Sequence, residues 1–93
     1  MDYGYRAIIV ILQAYQRRYG LKTIRGMIGR WAPPNENDTN AYIKRVVTST
    51  GYAADDIIDM QQKDVAVKMA RAISESENSW HDTEAAMRGF DLL

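Results

Sequence analysis

Two acidic residues, Glu36 and Asp38, stand close to Trp31 in the segment 30–39, and this combination suits glycoside hydrolysis. Hydrolysis of a glycosidic bond uses a pair of carboxyl groups, one of which is kept protonated near neutral pH and acts as the general acid. Glu36 is the better candidate for that acid. The same spacing also suits capping of a helix that begins near Thr39, and we favour capping as the role of the pair.

The chain has one histidine, His81, and no cysteine. Trp80 and Asp82 flank this histidine and Ser79 lies nearby, but a Ser/His/Asp triad is defined by geometry in space and not by adjacency in sequence. The absence of cysteine excludes disulfides, thiolate nucleophiles and cysteine-ligated zinc. A single histidine also argues against a zinc site, so we expect no metal, no cofactor and no catalytic role for His81.

Aromatic residues are a third group able to do chemistry, because their rings stack on sugars. The chain has nine of them: Tyr3, Tyr5, Tyr15, Tyr19, Trp31, Tyr42, Tyr52, Trp80 and Phe90. Most fall at inward positions of helical patterns, so we interpret them as core residues. Tyr52 and Trp80 lie outside these patterns and are the candidates for exposure.

The segment that contains Glu36 and Asp38 is predicted to be a rigid loop. Pro33 and Pro34 fix φ, lack N–H groups and exclude a helix. Asn and Asp side chains after them accept hydrogen bonds from nearby backbone N–H groups, and rigid loops often carry binding sites. The candidate binding residues are therefore Trp31, Asn35, Glu36, Asn37 and Asp38, with Trp31 also serving as an anchor at the end of a helix.

The spacing of apolar residues predicts an all-α fold, a single domain over residues 1–93 with four to five helices. The predicted helices cover roughly residues 5–19, 24–31, 39–50, 60–78 and 83–90. The first is apolar on much of its circumference through Ile9, Val10 and Ile11, so we expect it to be central to the core.

Helix ends have recognisable signals in the sequence. Gly20 and Gly51 suit the position after a helix, where φ is positive, and Thr23 suits an N-cap. Asp59 followed by Gln62 resembles a capping box for the fourth helix. Within the second helix, Gly26 and Gly29 leave a strip without side chains, and we expect close packing of another helix there, with a ligand as the alternative.

Charge is unevenly distributed along a chain whose net charge is zero. Residues 1–50 carry eight Lys or Arg and three Asp or Glu, giving +5, whereas residues 51–93 carry four and nine, giving −5. We expect the two halves to face each other in one fold, with Asp55, Asp56, Glu75 and Glu77 as solvated surface charges. A nucleic-acid surface built from Arg17, Arg18, Lys22 and Arg25 is the alternative, disfavoured because the whole chain is not basic.

No apolar run approaches the roughly 20 residues of a transmembrane helix. The longest run, Ala7–Leu12, has six residues. We therefore expect no membrane span and synthesis in the cytoplasm.

Several motifs follow one another in residues 15–50: Tyr15–Ile28, the run Trp-Ala-Pro-Pro-Asn-Glu-Asn-Asp-Thr at 31–39, and the pairs Tyr42-Ile43, Val46-Val47 and Thr50-Gly51. Together they carry a resemblance to a family of small bacteriophage and prophage virion-associated proteins, often described as structural proteins. It extends over about 3–78, through Tyr3–Ala7 at one end and Ala72-Ile73 with Glu77-Asn78 at the other. Members of this family are commonly longer at the N-terminus, in a way similar to lysozyme-like, glucosaminidase-type peptidoglycan hydrolases.

The resemblance implies a helical, lysozyme-like subdomain of phage origin. We expect the upstream segment to be missing here, and the active-site acid with it, so that no catalytic residue carries over. The expected function is a non-catalytic, prophage-derived structural or interaction domain in a virion or at the cell wall, with a protein or peptidoglycan as its partner. The alternative is a peptidoglycan-binding or peptidoglycan-hydrolysing lysozyme-like domain.

Overall fold

A computed structural model describes residues 2–78 and 83–93 of the chain. Over these residues the fold is all-α, as predicted, and measures 31 × 28 × 23 Å. The five helices are α1 (Asp2–Tyr19), α2 (Ile24–Trp31), α3 (Thr39–Thr50), α4 (Lys63–Asn78) and α5 (Thr83–Asp91). In the described ranges, no helix has the length and apolar character needed to cross a membrane.

Three of the predicted helix ends are confirmed. Gly20 follows α1 with φ of 65°, and Gly51 follows α3 with φ of 81°, both in the left-handed region that favours glycine. The Thr23 hydroxyl accepts a hydrogen bond from the Gly26 N–H at 3.0 Å and caps α2.

The predicted start of the fourth helix is wrong by three residues, because α4 begins at Lys63. The Asp59 carboxylate accepts the N–H of Gln61 at 2.9 Å, and the Asp59 carbonyl accepts the N–H of Gln62 at 3.1 Å. Asp59 therefore closes a turn before the helix and does not form a capping box. Met60, inside that turn, is fully buried.

The core lies between α1 and α4, each of which contacts three other helices. α1 packs against α2, α4 and α5, and α4 packs against α1, α3 and α5. The largest fully buried side chains are Ile9, Leu12, Ile24, Met27, Ile28, Val46, Met60, Met69 and Ile73. Val10 and Ile11 are each 37% exposed, so α1 is central on one side and faces solvent on the other.

The long connection between α3 and α4 is held by two glutamines of α1. Gln13 donates to the Met60 carbonyl at 3.0 Å, and Gln16 donates to the Ile58 carbonyl while accepting the Met60 N–H at 3.1 Å. Two backbone hydrogen bonds also hold the connection. The Ile58 N–H donates to the Lys22 carbonyl at 2.7 Å, and the Arg25 N–H donates to the Ala54 carbonyl at 3.0 Å. The connection is therefore a fixed part of the fold.

Candidate interaction surface

The loop between α2 and α3 is closed mainly by its own backbone. The Pro33 carbonyl accepts the N–H groups of Glu36 and Asn37, each at 3.1 Å. The Thr39 hydroxyl donates to the Ala32 carbonyl at 2.5 Å, which ties the start of α3 to the end of α2. Asp38 is the N-cap of α3 and accepts the Ala41 N–H at 3.2 Å. Capping by Asp38 is thus confirmed.

Four of the five candidate binding residues are exposed on this loop: Asn35, Glu36, Asn37 and Asp38. A shallow groove of about 420 Å³ runs beside it, lined by Arg25, Gly29, Pro34, Asn37, Asp38, Thr39, Asn40 and Ile43. Asn37 and Asp38 line this loop groove, whereas Asn35 and Glu36 do not. The groove offers amide, hydroxyl and carboxylate groups around a glycine, a surface suited to hydrogen bonding with a partner.

Trp31 points away from this groove into the junction of α2, α3 and α4. Its indole N–H lies 3.0 Å from the Tyr42 hydroxyl and 3.3 Å from Glu77 Oε1. The Tyr42 hydroxyl donates to the same Glu77 oxygen at 2.8 Å. The Trp31 ring is partly buried against the core, so it forms the base of the loop.

Burial raises the pKa of Tyr42 above its ordinary value, and the hydrogen bond to Glu77 raises it further. Glu77, predicted to be a solvated surface charge, is exposed but also has this role as a hydrogen-bond acceptor. A signal was present, because an acidic residue near the C-terminus of a helix is disfavoured by the helix dipole. Glu77 lies in that unfavourable position and is held by two side-chain donors from other helices.

The glycine strip on α2 is not a helix-packing surface, and that prediction is wrong. A Cβ atom added at Gly29 would meet nothing within 4 Å. At Gly26 it would meet only local side chains, with Thr23 Oγ1 at 3.3 Å as the nearest atom. Gly29 therefore lies open at the edge of the loop groove.

Most of the described aromatic residues lie in or against the core, as predicted, but two differ from the prediction. Tyr52 is partly buried against the core, with Lys68 Nζ 5.4 Å from its ring centroid. Tyr19, predicted to face inward, is 51% exposed because it occupies the last turn of α1, beyond the core. Trp80 and His81, with their neighbours Ser79 and Asp82, lie outside the described residues.

An ion pair connects the basic and acidic halves of the chain. Arg25 Nε lies 2.9 Å from Asp55 Oδ1, and the hydrogen bond to Arg25 lowers the pKa of the Asp55 carboxyl. A second pair, Lys63 with Asp91 at 2.8 Å, lies within the acidic half. Across residues 2–78 and 83–93, no group of three or more His, Cys, Asp or Glu side chains is placed to hold a metal ion.

Comparison with known proteins gives one informative similarity. No protein-family model matches the chain. The chain is 51% identical over 49 residues to Protein P5 of Pseudoalteromonas phage PM2. The matched region covers 53% of this chain and 31% of P5, so the similarity spans about a third of the length of that relative.

Proposed function

We propose that this phage-related chain is a non-catalytic structural or interaction domain of a virion, which contacts a protein partner through the loop groove. The observation that carries this proposal is the 51% identity to a phage protein. The geometry of the loop is compatible with it, since backbone hydrogen bonds and the Asp38 cap hold the exposed residues in place without a ligand. A pre-ordered surface loses little conformational freedom on binding.

The arrangement of acids favours a binding role over hydrolysis. Glu36 is exposed, and Asp38, its nearest acidic neighbour in sequence, already accepts a hydrogen bond from the Ala41 N–H. Trp31, which stands close to both acids in the sequence, directs its indole nitrogen at Tyr42 and Glu77. These contacts support surface and capping roles for the loop acids.

Particle composition tests the proposal directly. Particles of the phage or prophage that encodes the chain would be purified on a density gradient and analysed by quantitative mass spectrometry. We expect the chain to co-purify with the particles at a fixed ratio to the capsid protein. If intact particles lack the chain, the virion role is wrong.

A matched pair of asparagine variants tests the loop groove. Asn37 lines the groove and Asn35 does not, although both are exposed on the same loop. We expect Asn37→Lys to reduce incorporation into particles and Asn35→Lys to leave it unchanged. If both variants are incorporated equally well, the contact surface does not lie at the loop groove.

Hydrolysis of peptidoglycan or its binding at the cell wall is the competing outcome. The turbidity of purified cell walls would be followed with the wild-type chain, with Glu36→Gln and with Glu75→Gln as a control. We expect no clearing by any of the three. Clearing by the wild type that is lost only in Glu36→Gln would replace our proposal with a glycoside hydrolase.

A further inference from the structure

A second groove, of about 660 Å³, lies where the end of α1 meets the exposed side of α2. Its lining includes Tyr15, Tyr19, Leu21, Gly29, Arg30 and Pro33. Tyr15 and Leu21 pack against the core, whereas Tyr19 is half exposed. We call this the Tyr–Arg groove; it meets the loop groove at Gly29, which lines both.

Arg30 is held in place by the tyrosine rings. Its Cζ atom lies 3.7 Å from the centroid of Tyr19 and 5.6 Å from that of Tyr15. A guanidinium group stacked on an aromatic ring keeps the donors at its edge available for a planar acceptor such as a carboxylate. Arg30 is therefore already oriented before any partner arrives, which lowers the entropy cost of binding.

No acidic residue in the described ranges takes up these donors. The hydrogen bonds and ion pairs of residues 2–78 and 83–93 include none from the Arg30 side chain. Arg25, on the same helix and also exposed, behaves differently and pairs with Asp55 at 2.9 Å. The fold thus supplies an acceptor for Arg25, whereas the described residues supply none for Arg30.

More positive charge surrounds the groove. Arg18 follows Tyr15 by three positions, which places it on the same side of α1, and Lys22 follows the groove residue Leu21. Both side chains are exposed, and neither forms an ion pair within the described part of the chain. The groove therefore combines an aromatic and aliphatic wall with a cationic rim.

We propose that the Tyr–Arg groove docks an acidic segment of a partner protein. A carboxylate of that segment accepts two parallel hydrogen bonds from the edge of Arg30, and an adjacent apolar side chain packs against Tyr15, Leu21 and Pro33. This inference rests on the proposed interaction function and names the chemistry of the partner.

The observations favour an acidic protein segment over a nucleic acid. The face of Tyr19 that would stack on a base is covered by the Arg30 guanidinium. The net charge of the chain is zero, and the acidic stretch 55–59 borders Lys22 through the bond from the Ile58 N–H. A long polyanion leaving the groove on that side would be repelled, whereas a short acidic segment would not.

The experiment measures fluorescence anisotropy of a labelled peptide of alternating Glu and Leu, compared with the same peptide carrying Gln for Glu and with single-stranded oligo-thymidine. Arg30→Gln removes the charge, and Arg30→Lys keeps the charge but loses the planar donor edge. Arg45→Gln is the matched control, because Arg45 is also exposed and lies 5.0 Å from a tyrosine ring, that of Tyr42. Circular dichroism checks that each variant is folded.

We expect the wild type to bind the Glu peptide and not the Gln peptide, with weaker binding at higher salt. Arg30→Gln should weaken binding about tenfold or more, the loss expected for one charge-assisted hydrogen bond, with Arg30→Lys intermediate and Arg45→Gln unchanged.

The inference is overturned if the wild type does not bind the Glu peptide, if both peptides bind equally, or if Arg30→Gln binds as well as the wild type. Tighter binding of oligo-thymidine with the same dependence on Arg30 would make the groove a nucleic-acid site. A wild-type chain that is incorporated normally into particles but does not bind the Glu peptide would remove this inference alone. Peptide binding by a chain that is absent from particles would remove the virion role alone.

Discussion

At the scale of single residues, the cluster of Trp31, Tyr42 and Glu77 shows how one carboxylate organises three helices. One oxygen of Glu77 accepts hydrogen bonds from the phenol and the indole. Burial and the bond to Glu77 raise the pKa of Tyr42 by more than the Trp31 bond and the positive charge of Arg45, 5.0 Å from the Tyr42 ring, lower it. The cluster therefore keeps Tyr42 protonated and fixes Trp31 where the loop begins.

This protonation has a consequence at alkaline pH. The pKa of Tyr42 is raised in the folded state, so an unfolded chain loses this proton first, near pH 10. The contribution of Tyr42 to stability is complete below about pH 10 and is lost as the pH rises toward the folded-state pKa. We expect the free energy of unfolding, measured with urea at a series of pH values, to fall above about pH 10.

The variant Tyr42→Phe isolates this effect. It should cost about 0.5–1.5 kcal/mol at neutral pH through the lost hydroxyl, and it should reduce the alkaline decline. Tyr19→Phe, at an exposed position, serves as the control and should leave the decline unchanged. An identical pH dependence in the wild type and Tyr42→Phe would show that Tyr42 is not the group responsible.

The cap of α3 gives a second test at this scale. Asp38→Ala removes the acceptor of the Ala41 N–H and should lower the free energy of unfolding by about 0.5–2 kcal/mol. Asp38→Asn should retain most of the stability, since Asn caps helices about as well as Asp. Asn35→Ala, on the same loop, should change it by less than about 0.5 kcal/mol. If Asp38→Ala leaves the free energy of unfolding unchanged, water replaces the cap at no cost in stability.

At the scale of helices and connections, the sequence predicted those helix ends that depend only on residues adjacent in the chain. α2 and α3 were predicted to the residue because Thr23, Pro33 and Gly51 act on their own backbone. The contact of Glu77 with Tyr42, 35 positions away in sequence, depends on how the helices pack, and no local pattern encodes it. The same holds for the contact between Arg30 and Tyr19, which forms because α1 and α2 pack side by side and which the spacing of the two residues in sequence does not predict.

The connection between α3 and α4 shows the same limit. Its sequence reads as an ordinary loop, yet Gln16 of α1 pairs with both the Ile58 carbonyl and the Met60 N–H. Glutamine on a helix is usually an exposed residue, so its type did not reveal this role. Because these bonds hold residues 58–60 outside the helix, α4 begins at Lys63 and not near residue 60 as predicted.

Gln16→Ala tests the hold of α1 on this connection. Two backbone groups would lose their partner, and we expect a loss of about 1–3 kcal/mol in the free energy of unfolding. Amide hydrogen exchange should also become faster at Met60. Gln61→Ala, at an exposed position of the same connection, should have neither effect. Unchanged exchange at Met60 in Gln16→Ala would assign the stability of this connection to its buried side chains alone.

At the scale of the whole molecule, one side of α1 packs in the core and the other side faces solvent. Leu12 is fully buried, so Leu12→Ala should cost about 2–5 kcal/mol. Val10, 37% exposed, lies on the solvent side, and Val10→Ala should cost less than about 1 kcal/mol. Chemical denaturation followed by circular dichroism measures both. Similar costs for the two variants would contradict the orientation of α1.

The described residues share one hydrophobic core cluster, which predicts a single unfolding transition. Chains of this size with one hydrophobic core usually unfold without populated intermediates. We expect the thermal transitions seen by far-ultraviolet circular dichroism and by tryptophan fluorescence to coincide, since Trp31 lies against the same core as α1 and α4. Two separated transitions would divide the chain into independent units.

The connection between α3 and α4 also bears on how related chains can differ in length. Hydrogen bonds from Arg25 to Ala54 and from Ile58 to Lys22 fix the two ends of a short exposed stretch, in which Ile57 is 74% exposed. Residues inserted there would be flanked on both sides by backbone groups that these hydrogen bonds already hold in place. The entropy of closing such an insertion grows only with the logarithm of its length. This corner of the molecule should therefore accept a grafted epitope or another insertion with little disturbance of the core.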